Sequence, residues 1–113
     1  MALFDAVAAT GKPIIVVLIN GRPLTIPRLQ QKAAAILEAW DPGVRGGEGV
    51  ADVLVGEVEP AGRLTLSFPR GIGQVPIYYN HDNTGRPDKG KYVDGSSQPL
   101  YPFGFGLAYT QFE

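Results

Sequence analysis

Few side chains in this chain are equipped for acid–base or nucleophilic chemistry. The candidate carboxylates are Glu38, Asp41, Glu48, Asp52, Glu57, Glu59, Asp82, Asp88 and Asp94. Two carboxylates facing each other across a bond could act as acid and base, or as acid and nucleophile. No spacing in the sequence pairs any two of them. Nucleophilic catalysis needs an activated nucleophile beside a base, but no Ser stands in a strand-to-helix elbow and there is no Cys. His81 is the single histidine, in Asn80-His81-Asp82-Asn83-Thr84-Gly85. One His with Asp82 is a poor ligand set, so the sequence predicts no metal site. The segment reads first as a polar surface loop. Its flanking Tyr78 and Tyr79 would also suit a sugar site, where hydroxyl-binding groups sit beside an aromatic platform.

The cluster Gly43-Val44-Arg45-Gly46-Gly47-Glu48-Gly49 follows one apolar run and opens another. A phosphate-binding loop occupies that context, but the spacing fails. Asp52 stands where a third glycine belongs, and its carboxylate would oppose a pyrophosphate. A tight strand-to-helix turn explains the cluster better, with Glu48 near the positive end of the helix dipole. No nucleotide or other cofactor is predicted.

These residues need elements to hold them. The 113 residues suffice for one domain, and 44% hydrophobic with 19% charged content permits a packed core. A net charge of −1 gives no electrostatic reason to bind nucleic acid or an anionic membrane. No apolar run approaches the ~20 residues of a membrane span. Met1–Asp5 lacks the basic and apolar regions of a signal peptide. The compartment stays open: a periplasmic or secreted parent and a cytoplasmic one are both compatible with the sequence.

Leu3, Phe4, Val7 and Ala8 recur at helical spacing, and Gly11 can end that helix. Ile14–Ile19 is a β-branched run of the kind found in buried parallel strands, closed by Asn20-Gly21-Arg22-Pro23. Pro27 suits the first position of a short helix over Arg28–Lys32. Helix and strand readings compete over Ala34–Trp40, and its length and likeness to the first run favour a second strand; Glu48–Val55 is predicted to be a helix capped by Gly56. Arg63–Phe68 alternates like a strand with one solvated face. This alternation predicts an α/β fold, a partial and mostly parallel sheet with crossover helices. After Pro69 prolines and glycines multiply, consistent with an irregular strap. The aromatic residues gathered there, from Tyr78 to Phe112, read as packing for the strap. Residues 1–70 are thus expected to form the partial α/β domain and residues 71–113 the extended strap.

With the elements laid out, the motifs resemble a known family. Lys12–Leu24, with its Ile-Val-Val-Leu-Ile-Asn-Gly-Arg-Pro core, is similar to a strand and turn of the C-terminal domain of family 3 glycoside hydrolases. Ile36–Gly43, Gly46-Gly47 and Ala51–Gly56 resemble its next segment, followed in order by Pro60–Leu64 and Ser67–Arg70. Gly73–His81 and Thr84–Pro87 look like the strap of bacterial β-glucosidase members. Pro99–Phe112 is similar to the stretch that leads toward a fibronectin-like domain. Small departures occur, with Asp41 where an aromatic is common and Val44-Arg45 where acidic residues often stand.

The resemblance implies half of the family's α/β sandwich, from a retaining exo-acting β-glycosidase most like a β-glucosidase. In the family a barrel Asp is the nucleophile and a Glu from a Ser-Gly-Glu type segment is the acid/base. Neither motif occurs in residues 1–113, so no catalytic residue is assigned and the chain alone is expected to be inactive. The implied partners are a β-glucoside or oligosaccharide and the remaining domains of the enzyme. If the two strands are parallel, their following loops share the carboxyl edge, where ligands gather in open α/β sheets. Asn20, Arg22 and Asp41 on that edge, with Asn80, His81 and Arg86 of the strap, are therefore expected to border the substrate cleft. A sheet with unpaired edges is also expected to self-associate. The alternative is a non-catalytic carbohydrate-binding or interaction module.

Overall fold

The computed structural model describes residues 2–82 and 95–111. Five regular elements follow in order: α1 (Ala2–Ala8), β1 (Ile15–Ile19), α2 (Pro27–Lys32), β2 (Ala35–Trp40) and α3 (Gly46–Val55). A 3-10 turn spans Ile72–Gln74. Among the described residues β1 and β2 make a two-stranded parallel sheet, with α2 in the crossover between them. Each boundary has a local cause. Gly11 leaves α1 at φ +70°. Pro27 opens α2, its ring presetting the helical φ. Gly56 at φ +84° ends α3, so that the Gly56 N–H donates to the Val53 carbonyl and the Glu57 N–H to the Asp52 carbonyl. That pair of bonds is a Schellman motif.

The strands pair Ile15 with Ala35, Val16 with Ile36, Val17 with Leu37 and Leu18 with Glu38, and then Ile19 with Trp40. Ala39 is skipped, a bulge at the carboxyl end. One face of the sheet, with Val16, Leu18, Ile36 and Trp40, packs on Ile26, Leu29 and Phe68, the buried apolar side chains among the described residues. Phe4, Leu24, Leu64, Leu100 and Tyr101 close around them. The opposite face is open, and Ile15 and Ile19 are 53% and 67% exposed. This core is small for the chain's length. α1 buries no residue fully, and its Leu3 is 81% exposed.

The expected third strand, Arg63–Phe68, does not form. Its alternation breaks, since Leu66 is half exposed while Ser67 is buried. The segment instead bonds the returning strap at two separate points. The Leu64 and Gly104 N–H groups donate to the Phe105 and Leu64 carbonyls at 2.8 and 2.7 Å. Those of Phe68 and Leu100 donate to the Tyr101 and Phe68 carbonyls at 2.8 Å. Between the two points Pro102 has no N–H to give, and the Phe103 N–H goes to the Ser67 hydroxyl. A continuous ladder is therefore interrupted after one bridge, Phe68 with Tyr101.

Among the described residues the strap is irregular but tied by hydrogen bonds. The Gln74 side chain accepts the Arg70 N–H at 2.6 Å and donates to the Ser96 carbonyl at 2.9 Å, and Arg70 Nε donates to the Gln98 carbonyl. Farther on, Glu59 Oε1 accepts the N–H groups of Tyr109 and Thr110, and the Tyr109 hydroxyl donates to the Val53 carbonyl of α3. Phe68, 2% exposed, joins sheet and strap. Phe68→Ala should lower the unfolding free energy by about 3 kcal/mol or more. Leu66→Ala, at a half-exposed site, should cost well under about 1 kcal/mol. Denaturant titrations of the two variants against the wild-type chain would check the contrast.

Candidate functional site

Because β1 and β2 are parallel, Asn20–Pro23 and Asp41–Gly47 emerge at one edge of the sheet. The Asn20 side chain lies inside this edge. Its Nδ2 donates to Glu38 Oε1 and Oε2 at 3.2 and 3.4 Å, and its Oδ1 accepts the Arg22 N–H at 3.3 Å. The Asn20 N–H donates to the Trp40 carbonyl at 3.0 Å, and Glu38 Oε1 accepts the Trp40 N–H at 3.1 Å. Trp40 sits between these bonds at φ +52°, the one non-glycine residue with positive φ among the described residues. Its ring lies 5.9 Å from that of Phe68. Burial pushes the Glu38 carboxyl above its usual range, against the lowering effect of the Trp40 N–H and of Asn20.

Asp41 is exposed and follows directly. With Pro42, Gly43, Val17, Ile19 and Val50 it lines an open, largely apolar hollow of about 590 Å³ between the strand ends and α3. The glycines here have steric reasons. Gly43 is at φ +72°, and a Cβ on Gly46 would stand 2.5 Å from the Pro42 ring. Arg45 Nε reaches Glu48 Oε2 at 2.6 Å across the first turn of α3, in solvent.

The other expected cleft residues lie on the strap. Asn80 and His81 are exposed, with His81 Nδ1 3.2 Å from the Asp82 carbonyl oxygen. Among the described residues no hydrogen bond joins either of them to Asn20, Arg22 or Asp41, and neither lines the hollow. Arg86 lies outside the described residues. Nearby, Tyr79 stacks on Phe103 with ring centroids 4.6 Å apart, and both rings are substantially exposed. No group of three or more His, Cys, Asp or Glu side chains converges among the described residues. Glu38 and Glu59 stand among the carboxylates named from the sequence, without a partner assigned to either, and Gln74 does not. Their partners are backbone groups and a cross-strand side chain, which no linear spacing marks.

A parallel strand pair with a crossover helix, a glycine-built loop at its carboxyl edge and a bonded strap defines part of an open α/β domain. The sequence model of the glycosyl hydrolase family 3 C-terminal domain matches residues 1–109, and the chain belongs to that family. The chain is 51% identical over 118 residues to a periplasmic beta-glucosidase of Salmonella typhimurium, covering 97% of this chain and 15% of that protein. It is equally 51% identical, over 116 residues, to a beta-xylosidase of Formosa agariphila, covering 98% of this chain and 16% of the relative. Among solved structures, the beta-glucosidase from Listeria innocua in complex with isofagomine superposes with a TM-score of 0.93 at 44% identity. That superposition covers 99% of this chain and 17% of the enzyme. The chain thus spans about one sixth of the length of the relatives it matches.

Glu38 gives the edge a pH signature. Its carboxyl is raised in the folded chain, so its contribution to stability is full below the usual value of 4.5 and is lost as pH rises through the raised folded value. Glu38→Gln removes this titration. The difference in melting temperature, wild type minus Glu38→Gln, should therefore fall as pH is raised from about 4 to about 7, in paired thermal melts.

Proposed function

We propose that this chain is a piece of the C-terminal α/β domain of a retaining exo-acting β-glycosidase, most like a β-glucosidase releasing terminal β-D-glucosyl residues. The observation that carries this reading is the likeness over nearly the whole chain to a beta-glucosidase held with isofagomine, at 44% identity and a TM-score of 0.93. In this reading both catalytic carboxylates come from outside residues 1–113. Four carboxylates serve local structure: Asp5 pairs with Arg28, Glu48 with Arg45, Glu38 with Asn20, and Glu59 with backbone N–H groups. The chain's part is to supply strands and a strap, and to border the cleft with Arg22 and Asp41 at the sheet edge and with Asn80, His81 and Arg86 of the strap. Asn20 belongs to that border through its hold on the edge.

A second reading concerns the sugar. The beta-xylosidase of Formosa agariphila is as similar to this chain as the Salmonella enzyme is. A β-xyloside is therefore the rival substrate, and its choice would be made by residues beyond this segment.

The chain alone should release no product from an aryl β-glucoside, whereas a full-length enzyme carrying it should turn that substrate over faster than the matching β-xyloside. Measurable turnover by the 113-residue chain alone would overturn the assignment of both carboxylates elsewhere.

The partners follow from the same reading: the remaining domains of the enzyme and, in their absence, a second copy. The outer edges of β1 and β2 are unpaired among the described residues, and β1 carries neither a charge nor a proline to guard it. Sedimentation velocity of the isolated chain should show species larger than a monomer that grow with concentration. A monodisperse monomer at all concentrations would count against self-association.

A further inference from the structure

We propose that Glu38, bridged to Asn20, is a positioning residue that holds Trp40 in its left-handed conformation and so aims the Asp41–Gly47 loop over the carboxyl edge of the sheet. The consequence for substrate rests on the reading above that this loop borders the cleft. A bulky residue at positive φ is a backbone outlier. Such outliers persist only where the surroundings over-determine them, and they gather where a site must be held in shape.

Trp40 is held three times. Its N–H donates to Glu38 Oε1 at 3.1 Å, its carbonyl accepts the Asn20 N–H at 3.0 Å, and its ring packs on Phe68. Glu38 is the member that reaches both strands, since its carboxylate also accepts Asn20 Nδ2 of the loop that follows β1. The bulge fits this role. By skipping Ala39 it brings Trp40 opposite Ile19, and the chain leaves the sheet one residue out of step. From there Asp41, Pro42 and Gly43 run directly into the wall of the hollow. A Trp40 relaxed to negative φ would send that wall elsewhere. Glu38 is half-buried and turned toward Asn20 and Trp40, so it acts through them and has no need to touch a ligand.

Trp40 is the single tryptophan, so its emission reads the arrangement without interference. In the 113-residue chain, Glu38→Ala should shift Trp40 emission to the red and increase acrylamide quenching. Glu38→Gln keeps a carbonyl acceptor and should stay close to wild type. Asn20→Asp conserves volume but sets a second carboxylate against Glu38. It should resemble Glu38→Ala at neutral pH and return toward wild type in acid, where the pair can share a proton. Emission and quenching of Glu38→Ala identical to wild type would overturn the proposal. Should Glu38→Ala fail to fold, an Asn20→Asp signal that ignores pH would do the same.

In a full-length enzyme carrying this segment, Glu38→Ala should raise KM for an aryl β-glucoside about tenfold while kcat stays within about twofold, as expected for lost binding geometry. Glu38→Gln should restore KM. Equal losses in the two variants would overturn positioning, because they would mean that the charge itself is required. A fluorescence change with unchanged KM would sustain the hold of Glu38 on Trp40 and overturn the placement of the loop at the cleft.

Discussion

Phe68 is gripped from two sides. The Trp40 ring stands 5.9 Å from it and the Tyr101 ring 6.1 Å, tilted and edge-on, while its own N–H and carbonyl bond the strap at Tyr101 and Leu100. Sheet, connecting segment and strap meet at this one side chain, and little else buries them together. Ile26 and Leu29, from the start of α2, complete the buried cluster. The left-handed Trp40 depends on the same contact, since a ring without Phe68 beneath it would lose its packing surface. The geometry of the sheet edge is thus coupled to the strap through a shared aromatic core, although no hydrogen bond among the described residues runs between the edge loops and Asn80 or His81.

Apolar surface is distributed unevenly over the described residues. One face of the sheet is packed and the other exposes Ile15 and Ile19, while α1 leaves Leu3 and Val7 in solvent. Single exposed apolar residues are ordinary on any protein. Apolar residues grouped on one strand face and one helix are less so, and larger exposed apolar patches often mark interaction surfaces. The relatives are several times longer than this chain.

Much of the fold could be read from the residues. The run Ile14–Ile19, bounded by Pro13 and Asn20-Gly21, announced a strand, although the burial expected on both faces is not found, and Gly56 announced the end of α3 to the residue. Arg63–Phe68 misled because alternation presumes a neighbouring strand able to bond throughout. The actual neighbour is the strap, whose Pro102 and left-handed Gly104 break the pairing. At the site, the parallel reading placed Asn20 and Asp41 on one edge. What it could not supply was the register. Glu38 meets Asn20 across strands, and Trp40 takes positive φ where a bulge shifts the pairing by one residue. Nothing in a tryptophan's chemistry favours that conformation, so local sequence carries no sign of it.

The anchoring of the chain near its far end has a mechanical meaning. Glu59 clasps the backbone of Tyr109 and Thr110 while the Tyr109 hydroxyl is bound to Val53 near the end of α3. A pull exerted on the polypeptide after Thr110 would reach α3 and the turn behind it before it reached Phe105 or Tyr101. The clasp at Glu59 and Val53 thus stands, along the chain, between that pull and the aromatic junction at Phe68.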